Sequence, residues 1–211
     1  MSATPKYSSS SGKPLRLLQT VPNEVYSRLI VRYPHQTDRD YALFYREAAT
    51  RLAGTYSGQP IDDTILMPFL MLYRQAFELQ LKNFIRYLAS VRRRYHDSAA
   101  PSLSSDVVGE RLKKTLGHNL AKLLNELLKH YEALDLAEPF PSGVKKVIQM
   151  LHEADQRGTA FRYSGEMPES QDRADFPALA ALLDEELGKL IAVEDWIDSM
   201  YSAAPSPEEF E

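Results

Sequence analysis

The sequence predicts an all-α bundle of about five helices. Three observations carry this expectation. Apolar side chains recur every three or four positions through five long segments, which is the spacing of one helix face. No alternating apolar and polar run bounded by turn dipeptides survives inspection, so no strand is expected. Hydrophobic residues make up 44% and charged residues 26% of the 211, the balance of a globule able to bury one sizeable core.

Residues 1–14 are rich in Ser, Pro and Gly and are expected to form a disordered tail. No internal repeat or glycine-rich linker interrupts residues 15–201, which are expected to form a single helical domain. Residues 202–211 carry two prolines and three glutamates and are expected to form an acidic, loose tail. Leu15 to Pro34 stays open between a short helix and an extended arm, because it mixes β-branched and aromatic residues with Pro22 and Pro34.

The first clear helix begins at Thr37, which forms a capping-box pattern with Asp40. Tyr41, Phe44, Tyr45, Ala48 and Leu52 follow at helical spacing, and Gly54 can end the helix. The strongest stripe in the chain comes next: Leu70, Tyr73, Phe77, Leu81, Phe84 and Leu88. Pro68 either sits in its first turn or kinks it. Arg92, Arg93 and Arg94 fall near its end, where cations suit the helix dipole. Asp97 to Ser105 reads as a polar loop, and Val107 to Leu116 as a short helix broken at Gly117.

Leu120, Leu123, Leu124, Leu127, Tyr131 and Leu134 make another apolar face, with His118 or Asn119 placed to cap it. Ser142 is expected to cap a helix carrying Val144, Val147, Ile148 and Leu151, and Gly158 to terminate it. Thr159 to Asp175 reads as a polar loop holding the isolated triplet Phe161-Arg162-Tyr163. Pro177 opens the last helix, with Leu179, Leu183, Leu187, Leu190, Ile191 and Ile197 facing inward.

Composition removes several function classes. Without cysteine there is no disulfide, no thiolate catalysis and no Cys-ligated zinc. A net charge of −4 excludes a globally basic nucleic-acid coat but leaves room for a local basic patch. The longest uncharged apolar stretch, Thr64 to Tyr73, is about half the length of a membrane span, so no membrane association is expected. The N-terminus lacks the apolar core of a secretory signal, and a cytoplasmic location is expected. No phosphate-cradling glycine loop, dinucleotide fingerprint or nucleophile elbow occurs. None of the five histidines has another at i+3 or i+4, so neither a metal nor another cofactor is expected.

Four groups of residues could carry chemistry. Arg74, Glu78 and Lys82 stand at i, i+4 and i+8 on one side of a heavily apolar helix. They are either an ordinary solvated salt-bridge row or a ladder pressed against a second helix. Arg111 and His118 are the candidate catalytic pair. A histidine can move a proton and an arginine can clamp a phosphate, so together they would suit metal-free RNA cleavage through the 2′-hydroxyl. Spacing this short arises easily by chance (Arg28 and His35 share it), and the alternative for His118 is a helix cap or a packed histidine. Arg92, Arg93 and Arg94 with Lys113 and Lys114 would contact phosphates if the fold brought them together, and are otherwise solvated helix ends. Phe161, Arg162 and Tyr163 are either an anchor onto the bundle or a base-stacking lip.

The segment YRQAFELQLKNFIR, with Glu78 and Lys82 in a long apolar helix, precedes His118-Asn119-Leu120 at a helix start and then Phe161-Arg162-Tyr163. In this order the three motifs resemble the HEPN superfamily, over about Leu66 to Tyr163. These are small helical domains of prokaryotic nucleotidyltransferase-paired, toxin–antitoxin and anti-phage systems. The resemblance implies a bundle of four or five helices, a homodimer, and work on or beside RNA or nucleotides. Many members are metal-independent ribonucleases using an arginine and a histidine a few residues on, paired across the dimer. Many others lack the pair and serve as binding or antitoxin-like partners. The leading expectation is therefore a defence or toxin–antitoxin component that binds RNA or a protein partner with little or no catalysis. The alternatives are a metal-independent endoribonuclease using Arg111 and His118, and a structural adaptor in a larger assembly.

Overall fold

The computed structural model describes residues 35–163 and 173–202. The chain divides after His35, and only the second unit is described below. The expectations for residues 1–34, 164–172 and 203–211 lie outside the described residues.

The architecture is an all-α bundle, with no strand among the described residues. Six helices follow in order among the described residues: α1 Asp38–Ala53, α2 Leu66–Tyr95, α3 Ser105–Arg111, α4 Leu120–Glu132, α5 Ser142–Ala154 and α6 Phe176–Ser202. Short 3₁₀ turns at Pro60–Ile65 and Pro101–Leu103 join them, and one π-helical turn, Leu112–Leu116, continues α3.

The long helix α2 is the centre of the fold, packed by α1, α3, α4 and α6. Its stripe of Tyr73, Phe77, Leu81, Phe84 and Leu88 is fully covered, and Phe69, Ala76, Ile85 and Ala89 are buried as well. A helix apolar on most of its circumference belongs in the middle of a bundle. Each buried leucine or phenylalanine contributes roughly 1.5–3 kcal/mol of transfer free energy, so this helix alone supplies much of the driving force. Pro68 lies in the first turn, where its missing N–H costs nothing.

The Thr37–Asp40 capping box forms in both directions. The inward face of α1 is only partly the expected one: Tyr45 and Leu52 pack against the core, and Ala48 is exposed. Ala42 and Ala49 are buried, while Tyr41 and Phe44 are exposed and stack edge-on with their ring centroids 5.8 Å apart. Polar anchors set the rotation of this helix. Arg46 clamps Asp184 of α6 through Nε at 2.7 Å and Nη2 at 2.8 Å, and Tyr73 donates to the same carboxylate at 3.1 Å. Small residues then let α1 lie close against α2.

Three other local expectations are corrected. Ser142 begins α5 without a side-chain cap. The Glu186 carboxylate of α6 sits over that helix start instead, so near that a Cβ on Gly143 would meet Glu186 Oε2 at 2.6 Å. Gly158 does not end α5, which stops at Ala154 with Asp155 as its C-cap. Asp97–Ser105 is not wholly polar, because Leu103 inserts into the core from its 3₁₀ turn. Asn119, rather than His118, caps α4 by accepting from the Lys122 amide at 2.9 Å.

Candidate functional site

Arg74 and Glu78 of the ladder are buried, and Lys82 is partly covered. Glu78 is 1% exposed, and its two oxygens serve three partners. Oε2 accepts from Arg74 Nη1 at 3.1 Å, and Oε1 accepts from Lys82 Nζ at 2.7 Å. The same Oε1 lies 2.8 Å from Nδ1 of His118, forty residues further along the chain. Burial alone would push the Glu78 carboxyl up, but Lys82 and His118 outweigh it, and the group is held below the usual carboxylate range.

Arg74 is the hub. Its Nη2 donates to the backbone carbonyl of His118 at 2.8 Å, and its Nε lies 2.9 Å from Asp155 Oδ2. That second contact is an ion pair by distance whose N–H is not aligned for a hydrogen bond. Asp155 in turn accepts the amides of Thr159 at 2.8 Å and Ala160 at 3.1 Å through Oδ1. Two cations, Arg74 and Lys82, thus balance two carboxylates, Glu78 and Asp155, in a site nearly closed to water. Such a cluster persists because each charge is paired, and removing one member strands the rest.

Two glycines make this convergence sterically workable. The amide of Gly117 bonds back five residues to Leu112 at 2.9 Å, closing the π turn, and its own φ is 56°. This conformation suits glycine alone and turns the chain so that the His118 carbonyl meets Arg74. Gly158, at φ 80°, lies flat against the Arg74 guanidinium, and a Cβ there would sit 3.0 Å from Nη2.

His118 itself faces outward, its side chain 68% exposed. An ionised Glu78 accepts from His118 Nδ1–H, and this bond leaves Nε2 directed away from the carboxylate. Arg111 is elsewhere. Its Nη1 donates to Glu126 Oε1 at 2.5 Å and its Nη2 to the Ser102 carbonyl at 3.2 Å. Glu126 also lies 3.6 Å from His130, whose Nδ1 is 3.2 Å from Arg92 Nη1. Burial, helped by the Arg92 and Arg111 charges, holds His130 below the ordinary imidazole value. The two networks meet α2 at Glu78 and at Arg92, about four turns or about 21 Å apart along its axis. Among the described residues no contact joins Arg111 to His118.

The other basic residues are dispersed. Arg92 is tied to Asp97 at 2.7 Å. Arg93 and Arg94 are exposed, with Arg94 lying over the Tyr95 ring at 5.1 Å. Lys113 and Lys114 are exposed on the π turn, Lys114 pairing with Glu110. Arg162 is exposed and meets no acidic partner among the described residues; Tyr163 is 64% exposed, and only Phe161 is half-buried. Tyr163 therefore does not act as an anchor onto the bundle. No cluster of metal-binding side chains occurs among the described residues, and none of their helices is long and apolar enough to cross a membrane.

Sequence reading missed Asp155 and Gly158, because a single acid and a single glycine after a helix carry no periodic signal. It also missed Glu194 on α6, which is 4% exposed. Its carboxylate accepts from Asn83 Nδ2 at 2.7 Å and from Gln80, with Arg39 at 3.9 Å. Burial with so little compensating charge pushes its pKa up to about 7. No family model, no curated protein and no solved structure matches this chain.

Proposed function

We propose that the chain is a HEPN-like RNA-binding module of a defence or toxin–antitoxin system, working as a homodimer with little or no catalysis. One observation supports the reading above all. Glu78, Lys82 and His118, residues that carry the resemblance, converge on one buried charge network through Arg74. Retaining four charges at such desolvation cost fits a preserved architecture better than a fortuitous salt-bridge row. The preference for binding over cleavage rests on Arg111. It is committed to Glu126 and Ser102, so His118 lacks the clamp that would hold a phosphodiester for attack.

The metal-independent ribonuclease retains one supporting observation, the outward Nε2 of a carboxylate-backed imidazole. Incubating the purified protein with total RNA in EDTA, beside His118→Ala, separates the readings. Retention of RNA without cleavage is expected. Cleavage that disappears in the variant would replace binding with the nuclease. Absence of both would turn the module toward a protein partner.

A further inference from the structure

Helices α2 and α6 run parallel, since Tyr73, Asn83 and Tyr95 meet Asp184, Glu194 and Tyr201 in that order. Their C-terminal ends lie side by side, and a cleft of about 290 Å³ opens between them. Val91, 4% exposed, lines it together with Tyr87, Tyr95 and Tyr201. Tyr95 and Tyr201 hold each other. Their ring centroids stand 5.1 Å apart, and the Tyr95 hydroxyl donates to the Tyr201 carbonyl at 3.0 Å. The cleft also holds one carboxylate, Asp198, and one guanidinium, Arg94, both on exposed residues. Asp198 is oriented from two sides. Ser202 Oγ donates to its Oδ1 at 3.2 Å, and the Tyr87 hydroxyl bonds the same carboxylate. Burial and that bond raise the Tyr87 phenol, which keeps it a neutral donor. Two donors leave a carboxylate about half of its acceptor positions.

We propose that this cleft binds a small primary ammonium ion carrying an apolar chain, with the cation on Asp198 and the chain along Val91 and the tyrosines. Three features choose a cation over an anion. Asp198 is oriented and has acceptor positions to spare. Two helix C-termini converge here, each equivalent to about half a negative charge. Aromatic faces attract cations, and Arg94 already uses one: it has no carboxylate partner among the described residues and lies over the Tyr95 ring at 5.1 Å. Arg94 is therefore a competitor of the bound cation, not its partner. A primary ammonium suits the site better than a quaternary one, because its N–H groups can fill the open positions on Asp198. The volume lies at the small end of ligand sites and suits one compact molecule. The site stands apart from the Arg74 network and does not depend on the RNA-binding reading.

An NMR titration of the full chain with phenethylammonium tests this, beside uncharged phenethyl alcohol and anionic hydrocinnamate. The ammonium should bind at least about 10-fold tighter than either control, with shifts centred on Val91 and Tyr201. Asp198→Asn, which keeps the shape, should weaken it about 10-fold. Arg94→Gln removes the competing charge and should strengthen it about threefold, most at low salt. Both positions are exposed, and melting curves check that each variant is folded. No saturation by phenethylammonium up to about 10 mM would overturn the site. Equal affinity for the three compounds would overturn the charge selection and with it the proposal. Unchanged affinity in Asp198→Asn would place the ligand elsewhere and overturn the site. Hydrocinnamate binding tightest, with that binding lost in Arg94→Gln, would make the cleft an anion site and overturn the proposal as well.

Discussion

His118 Nδ1 lies 2.8 Å from Glu78 Oε1, joining an imidazole that is 68% exposed to a carboxylate that is 1% exposed. The pair spans the protein surface. Its inner member is fixed by Arg74 and Lys82, and its outer member is free to meet a ligand. An exposed ring thereby gains one defined orientation and proton position without being buried itself.

Glu78→Ala should destabilise the fold by about 3 kcal/mol, because buried Arg74 is left with Asp155 alone and the largely covered Lys82 loses its partner. Urea unfolding measures it. A loss within about 0.5 kcal/mol of wild type would mean that the network contributes little.

The acid limb of stability provides a second check on the same residue. The folded-state pKa of Glu78 is depressed, so its contribution is present above its unfolded pKa near 4.5 and is lost as pH falls through the folded value. Wild type should therefore lose stability below about pH 4.5 more steeply than Glu78→Gln. Parallel acid limbs for the two proteins would refute this.

Glu194 should act in the opposite sense. Its folded pKa, about 7, stands above the ordinary 4.5, so the folded state holds the extra proton and stability falls as pH rises from about 4.5 to 7. The groups facing it are Arg39 of α1, Gln80 and Asn83 of α2, and Asp195 beside it on α6. None supplies a close, uncommitted cation, since Arg39 also binds Asp195 at 2.5 Å. Glu194→Gln should flatten this decline and gain on the order of 3 kcal/mol at pH 8. Chemical denaturation at pH 5 and pH 8 provides the comparison, and an unchanged pH slope would contradict it.

Gly158→Ala should cost about 2 kcal/mol. A side chain at φ 80° is strained, and its Cβ would press on the Arg74 guanidinium. Because Arg74 holds the His118 carbonyl and Asp155, RNA affinity should fall together with Tm. A variant that melts like wild type and binds as well would show that the hub tolerates displacement.

Arg111→Ala should cost about 1 kcal/mol through loss of its partly buried Glu126 pair and leave RNA affinity unchanged. Equilibrium unfolding and anisotropy read the two effects separately. Loss of RNA binding with intact stability would return Arg111 to the functional site.

Local chemistry was largely readable from the sequence. The Thr37–Asp40 box, the α2 stripe, Asn119 as one of two cap candidates, the break at Gly117 and Pro177 opening α6 all rest on neighbours within a turn or two, where spacing is itself the physical cause. The tertiary structure decided which charges meet. Spacing put Arg74, Glu78 and Lys82 on one side of α2 but could not say whether that side faced water. It faces His118 and Asp155, brought in by chain turns at Gly117 and past α5. The spacing of α1 put Tyr45 and Leu52 on the core side but misplaced Tyr41 and Phe44, because Arg46 and Asp184, at 138 residues' separation, set the rotation of that helix. Arg111 and His118, seven residues apart, part company because a π turn and one glycine lie between them, while Glu78 and His118 meet across forty. Sequence distance governs dihedral angles and helix faces. Ion pairs follow distance in space, which the packing of the helices decides.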